Sequence, residues 1–204
     1  MKTIVINADP RIKRKTGQIM KSAAEGAKST GAELEYVDLY KLDLRGCMNC
    51  SICKKKNKEI FKCYWRDDLS PLIERILNAD TLLIGSRIFF NEPTSHYRAL
   101  LERLIYCVVS FDKNYYFKGK VDVGIFYTTE VPRDYFDEKI RPCLKQTEEM
   151  FKLLNGDVEV YTSYMIMTTK KSSIGEDSLN KEKEEFEKDL ENAFEIGARL
   201  SKKE

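Results

Sequence analysis

The stretch Thr3-Ile4-Val5-Ile6-Asn7-Ala8-Asp9-Pro10-Arg11-Ile12-Lys13-Arg14-Lys15-Thr16-Gly17-Gln18 decides how the rest of the chain is read. Its β-branched opening, Thr3 to Asn7, alternates little, as suits a strand buried on both faces. A polar, basic loop follows. Thr16 is expected to cap a helix whose apolar face is Ile19, Met20, Ala23, Ala24 and Ala27, with Gly31 ending it. Glu33 to Asp38 reads as a second strand. Strand, loop, helix and strand in this order imply parallel strands joined by a right-handed crossover.

The pattern repeats outward. Thr81 to Gly85 is a wholly apolar third strand, Val121 to Tyr127 a fourth and Asp157 to Tyr161 a fifth. Helices are expected over Leu69 to Leu77, from a cap at Thr94 to about Val109, and across Tyr135 to Leu154, where Pro142 starts or breaks the helix. A long charged helix runs from Leu179 to Leu200. Met165 to Asp177 follows no clear pattern. The fold class is therefore α/β, a doubly wound parallel sheet of five strands with helices on both faces. One domain spans residues 1–204, with a cysteine-rich insertion at about 45–66 and a C-terminal helix at about 179–201. Ligands of such sheets bind at the carboxyl ends of the strands, near the switch in strand order. The loops after strands one, three and four are thus the ones to read.

Composition narrows the function. The chain has 204 residues, 42% hydrophobic and 33% charged, as a folded protein with a well-solvated surface requires. Lys and Arg (35) nearly balance Asp and Glu (33), which argues against a dedicated nucleic-acid binder. No stretch approaches the roughly 20 apolar residues that span a bilayer. The opening apolar run is too short for a signal peptide, so a cytoplasmic protein is expected. Its six cysteines are then expected as thiols rather than disulfides. A single histidine makes His-rich metal sites impossible. His96 reads as a helix-start residue, not a catalyst.

Three loops could carry chemistry. The first sets Arg11, Lys13, Arg14 and Lys15 around a helix start, a place for phosphate; a solvated basic turn is the alternative. Asp9 counts against phosphate unless it points away or caps the loop. The second runs Ser86-Arg87-Ile88-Phe89-Phe90-Asn91; its two aromatics could wall a planar ligand, although alone they read as core. The third holds Cys47, Cys50 and Cys53, with Cys63 beyond. Four thiolates suit a [4Fe–4S] cluster or zinc, and reduced thiols kept for packing are the plain alternative. Lys54, Lys55, Lys56, Lys58 and Lys62 surround this loop and would lower the thiol pKa values or steer an anionic partner. Cys107 and Cys143 lie in apolar helical stretches and read as core.

Taken together, these loops resemble the NAD(P)H-dependent FMN reductase superfamily, flavodoxin-like proteins, and especially its iron–sulfur flavoprotein branch. Ala8-Asp9-Pro10-Arg11 through Thr16-Gly17 lies on the family's Gly-Ser-Pro-Arg loop. Cys47, Cys50, Cys53 and Cys63 precede Asp67-Asp68, as the family's cysteine motif precedes an Asp-Asp pair. Ala79-Asp80, Ser86-Arg87-Ile88-Phe89-Phe90 and Glu102-Arg103 follow in the family's order. The resemblance covers roughly the first two-thirds of the chain. This chain departs from it where Asp9 replaces a serine that helps hold the FMN phosphate, where Arg14 and Lys15 replace small polar residues, where Arg87 replaces a proline beside the flavin, and in a longer gap before Cys63.

The resemblance implies an oxidoreductase that passes electrons from NAD(P)H through FMN to a small-molecule or protein acceptor. It implies FMN contacts from Asp9, Arg11, Arg14, Lys15, Thr16, Gly17 and Gln18, with Arg11 and Thr16 nearest the phosphate. Ser86, Arg87, Ile88, Phe89, Phe90 and Asn91 would carry the ring, and Thr128, Thr129 and Glu130 would approach its pyrimidine edge. Cys47, Cys50, Cys53 and Cys63 would hold a cluster. An electron carrier fed by a ferredoxin-like partner is the rival reading, and a structural zinc module is a third. A homodimer or homotetramer is expected, with no nucleic acid or membrane partner.

Overall fold

Five strands line up in parallel in the computed structural model, in the order β2-β1-β3-β5-β6. Described are residues 1–55, 61–110, 112, 117–164 and 176–202, with backbone only for 176–179 and 181. The elements are β1 (Lys2–Asn7), α1 (Lys15–Ser29), β2 (Glu33–Asp38), α2 (Leu69–Leu77), β3 (Thr81–Phe89), β4 (Glu92–Pro93) and α3 (Ser95–Val108). They continue as β5 (Val121–Thr129), α4 (Arg133–Tyr135), α5 (Arg141–Met150), β6 (Asn155–Tyr164) and α6 (Glu176–Leu200). This is the flavodoxin-like strand order, and its switch point lies between β1 and β3.

Side-chain alternation explains the two covered faces. Neighbours along a strand point to opposite sides. On β1, Ile4 and Ile6 join the core formed with α2 and α3, and Val5 joins the core formed with α1 and α6. All three are fully buried, which is why the run shows no polar alternation. Helix α1 offers Ile19, Met20, Ala23, Ala24 and Ala27 to the second core. It touches α6 so closely that a Cβ on Gly26 would lie 2.0 Å from the Phe194 carbonyl oxygen, and one on Gly197 would lie 2.0 Å from that of Ala23.

Several boundaries differ from the sequence reading. The third strand runs on to Phe89, so Ser86 to Phe89 belong to β3 rather than to a loop. Phe90 and Asn91 then turn the chain with φ of 48° and 68°, and β4 pairs back antiparallel. Thr128 and Thr129 end β5, and β6 begins at Asn155 and reaches Tyr164. Parallel ladders extended these strands, with Arg87 beside Thr128 and Thr129 beside Tyr164. The expected helix over Tyr135 to Leu154 is divided: a π-helical turn, Phe136–Ile140, precedes α5, whose first turn holds Pro142, and a 3₁₀ turn ends it.

Thr16 is not the cap of α1. Arg14 holds that position and Thr16 sits inside the first turn, because its hydroxyl is taken elsewhere. Thr94 does precede α3, yet its hydroxyl donates to the Ala8 carbonyl 2.6 Å away instead of capping the helix. Cys143 is exposed, not core. Lys56, Lys58 and most of Met165 to Asp177 lie outside the described residues. No helix among those described is long and apolar enough to cross a membrane.

Candidate functional site

The ends of β1, β3 and β5 are tied together by hydroxyls. The Ser86 hydroxyl accepts the Thr94 N–H at 3.1 Å, and Thr94 donates to Ala8. The Thr16 and Thr128 hydroxyls lie 2.7 Å apart. Thr16 donates to Asp9 Oδ2 at 2.7 Å, and the Arg11 N–H donates to Oδ1 at 2.7 Å. Thr16 therefore receives its second bond from Thr128. Asp9 is 2% exposed and caps the loop, the arrangement its position required for the loop to close around a carboxylate.

The other residues of the first loop divide between the site and the fold. Arg11, Arg14 and Gln18 are exposed at its rim. Lys15 turns away: its ammonium pairs with Glu182 of α6 at 2.6 Å and lies over the Phe186 ring. It therefore does not supply charge to the loop. Gly17 is buried against the loop itself, where a Cβ would meet the Ile12 carbonyl oxygen at 1.9 Å. Lys15, Thr16 and Gly17 open the helix, so their N–H groups have no partner within it.

Between the second loop and the end of β5, Arg87 Nη2 pairs with Glu130 at 2.7 Å and the Arg87 guanidinium stacks near Phe89. Arg87 Nε is buried without a hydrogen-bond partner. Ile88 is buried, while Phe89 is 40% and Phe90 99% exposed, so the two aromatics are not core. Asn91 is exposed and Thr129 buried beside them. One edge thus carries an orphaned donor, free helix-start N–H groups and an uncovered aromatic. These features fit a ligand with an anionic end and a flat ring, as a flavin mononucleotide has.

The cysteine loop forms a separate pocket. Left-handed backbone at Asn49 and Ser51 coils it tightly. Cys47, Cys50, Cys53 and Cys63 face one cavity, and Cys107 joins them from α3. The neighbouring Cys107 thiol lowers the pKa of Cys63 to about 4 and that of Cys53 to about 7. These two neighbours, with burial, push Cys107 up. The Lys54 ammonium donates to the carbonyls of Tyr106 and Val109 at the end of α3. The cavity is about 20 Å³, room for about one water molecule. Among the described residues no three His, Cys, Asp or Glu are placed to share a metal ion. As arranged, the thiols do not fit a four-iron cluster.

Arg103 organises that pocket; the sequence reading quoted it in the Glu102-Arg103 match but gave it no site role. It donates to Cys63 Sγ at 3.2 Å, to Ser70 Oγ at 2.6 Å and to Asp67 at 2.5 Å. Asp67 also accepts the N–H groups of Leu69 and Ser70, capping α2. Burial works to raise its carboxyl, but Arg103 overcomes this and holds it below the usual range. A signal existed: Arg103 and Cys107 stand four apart on one helix face.

The sequence model of the family described as NADPH-dependent FMN reductase matches residues 1–150. An iron–sulfur flavoprotein of Methanocaldococcus jannaschii is 27% identical over 124 residues, 61% of this chain and 62% of that protein. One of Archaeoglobus fulgidus is 30% identical over 103 residues, 50% of this chain and 48% of that protein. The chain thus spans about half to three-fifths of the length of these relatives. Among solved structures, an NAD(P)H:quinone oxidoreductase from Methanothermobacter marburgensis superposes with a TM-score of 0.69 at 16% identity, covering 98% of both chains. An FMN-dependent NADH-azoreductase from Bacillus anthracis, solved with FMN, also gives 0.69, at 14% identity and covering 98% of this chain and 100% of that one. Likenesses this distant in sequence bear on the fold, whereas the match over residues 1–150 bears on the family: the chain belongs to the NADPH-dependent FMN reductase family.

Proposed function

We propose that the chain binds FMN and acts as an NAD(P)H-dependent oxidoreductase, passing electrons to a small-molecule or protein acceptor. The observation that carries this reading is the meeting of three loops at the switch point. The start of α1, the Arg87 end of β3 and the Glu130 end of β5 face one strand edge. FMN held there would supply hydride and electron-transfer chemistry between the nicotinamide and the acceptor. The residues supply position and charge. Ser86 and Thr94 lock the strand ends, and the Thr16–Thr128 contact fixes α1 against β5. Arg87 brings a cation beside the ring, and Glu130 neutralises it. No side chain is needed as a general acid or base, in keeping with a chain that has one histidine.

The test is the absorption spectrum of the purified protein with added FMN, before and after mixing with NADPH or NADH. Flavin bands that bleach rapidly with either nucleotide support the reading. Protein that takes up no flavin overturns it. Flavin that bleaches only with a reduced ferredoxin favours the carrier reading instead. That rival gains from five thiols facing one cavity and loses from the cavity's size. Iron and acid-labile sulfide analysis of anaerobically purified protein decides that point. A homodimer or homotetramer belongs to the same proposal, and the mass in solution tests it.

A further inference from the structure

We propose that Asp9 is a resident anion at the phosphate end of the flavin site, so that this chain takes riboflavin, which has no phosphate, about as readily as FMN. This rests on the flavin reading above. The Asp9 carboxylate is buried and both of its oxygens are engaged, one by the Arg11 N–H and one by the Thr16 hydroxyl, each at 2.7 Å. These donors stand where the loop meets the start of α1. A phosphate arriving there finds them already bonded to a negative charge, and finds the positive end of the helix partly neutralised. It also meets a like charge in a poorly hydrated place.

Beyond the N–H groups of Lys15, Thr16 and Gly17 at this partly neutralised helix start, what remains for the phosphate lies outside. Arg11, Lys13 and Arg14 are exposed, and with Lys21, Lys41 and Asp38 they line an open groove of about 550 Å³ beside the loop. Lys41 already pairs with Asp38 at 2.8 Å, and Lys15 is turned toward Glu182. Exposed cations in water add little to binding. The phosphate therefore gains at the rim about what it loses to Asp9. The ring end is untouched by this contest, because Arg87, Glu130 and Phe89 stand on β3 and beyond β5, and none of them bonds to Asp9.

The experiment is a fluorescence-quenching titration of flavin-stripped protein with FMN and, separately, with riboflavin. Wild type, Asp9→Ser and Asp9→Asn are compared, with a thermal melt confirming that each is folded. Wild type is expected to bind the two flavins within about tenfold of one another. Removing this like charge is expected to tighten FMN roughly tenfold and leave riboflavin unchanged. Asp9→Asn keeps the side-chain shape, so it decides the matter if Asp9→Ser does not fold. A wild-type preference for FMN beyond tenfold overturns the inference, as does a ratio that neither variant moves; in both cases the flavin reading stands. If no form binds either flavin, the flavin reading falls and takes this inference with it.

Discussion

Arg87 of β3 and Glu130, just past β5, meet at 2.7 Å across the two strand ends that border the candidate flavin ring. Each has only modest exposure, and Arg87 keeps one buried N–H unpartnered. On the proposed flavin reading, the pair sets a cation at the ring edge and holds its charge nearly balanced. In FMN-loaded protein, Glu130→Gln is expected to raise the flavin midpoint potential, because the freed guanidinium favours the reduced anion. Arg87→Ala is expected to lower it, each by on the order of 1 kcal/mol. Spectroelectrochemical titration checks both, and potentials that do not move in opposite directions would show that the pair does not face the ring.

Arg103 and Asp67 are a buried pair, with side chains 1% and 5% exposed. Removing one partner leaves the other charged and uncompensated. Arg103→Ala or Asp67→Asn is expected to destabilise the fold by about 3–5 kcal/mol. Urea unfolding measures this. A loss under 1 kcal/mol in both variants would mean that water replaces the missing partner.

Glu148 of α5 gives a pH signature. Burial raises its carboxyl above the ordinary range, although the Arg141 guanidinium at 3.1 Å opposes this. Its folded-state value therefore exceeds its unfolded one. The stabilising contribution is present in full below the unfolded pKa, near 4.3, and fades as pH rises through the folded value. Glu148→Gln is expected to flatten the stability curve on the acid side of neutrality. Melting temperatures from pH 4 to pH 7 report it, and an unchanged slope would sink the assignment.

Phe90 sits at the tip of the β3–β4 turn, 99% exposed with φ of 48°. A bulky side chain in left-handed backbone is strained, and Phe90 buries nothing in return. Replacing Phe90-Asn91 with Asn-Gly matches the turn chemistry of such hairpins and is expected to stabilise by about 1 kcal/mol. Thermal melts measure the gain. If Phe90 is instead kept for a ligand, the same variant binds flavin more weakly, which the quenching titration reads separately.

The sheet was legible from the chain itself. A strand covered on both faces can be apolar throughout, and Ile4, Val5 and Ile6 with Leu82, Leu83 and Ile84 are so. The apolar spacing of α1 and α2 marked their buried faces, and α2 was found over Leu69–Leu77 as read. The three loops followed from the order of elements. Partnerships between distant residues were not legible, because hydrogen bonds and ion pairs carry no local periodicity. Asp9 with Thr16, Arg87 with Glu130 and Lys15 with Glu182 each depend on how loops and helices come to rest on the sheet. Cys107 is buried core, as its apolar helix implied, and the docking of the cysteine loop on α3 also sets it against Cys53 and Cys63. Local side-chain chemistry determined the strands, helices and candidate loops; long-range packing decided which donors are spent and which remain for a ligand.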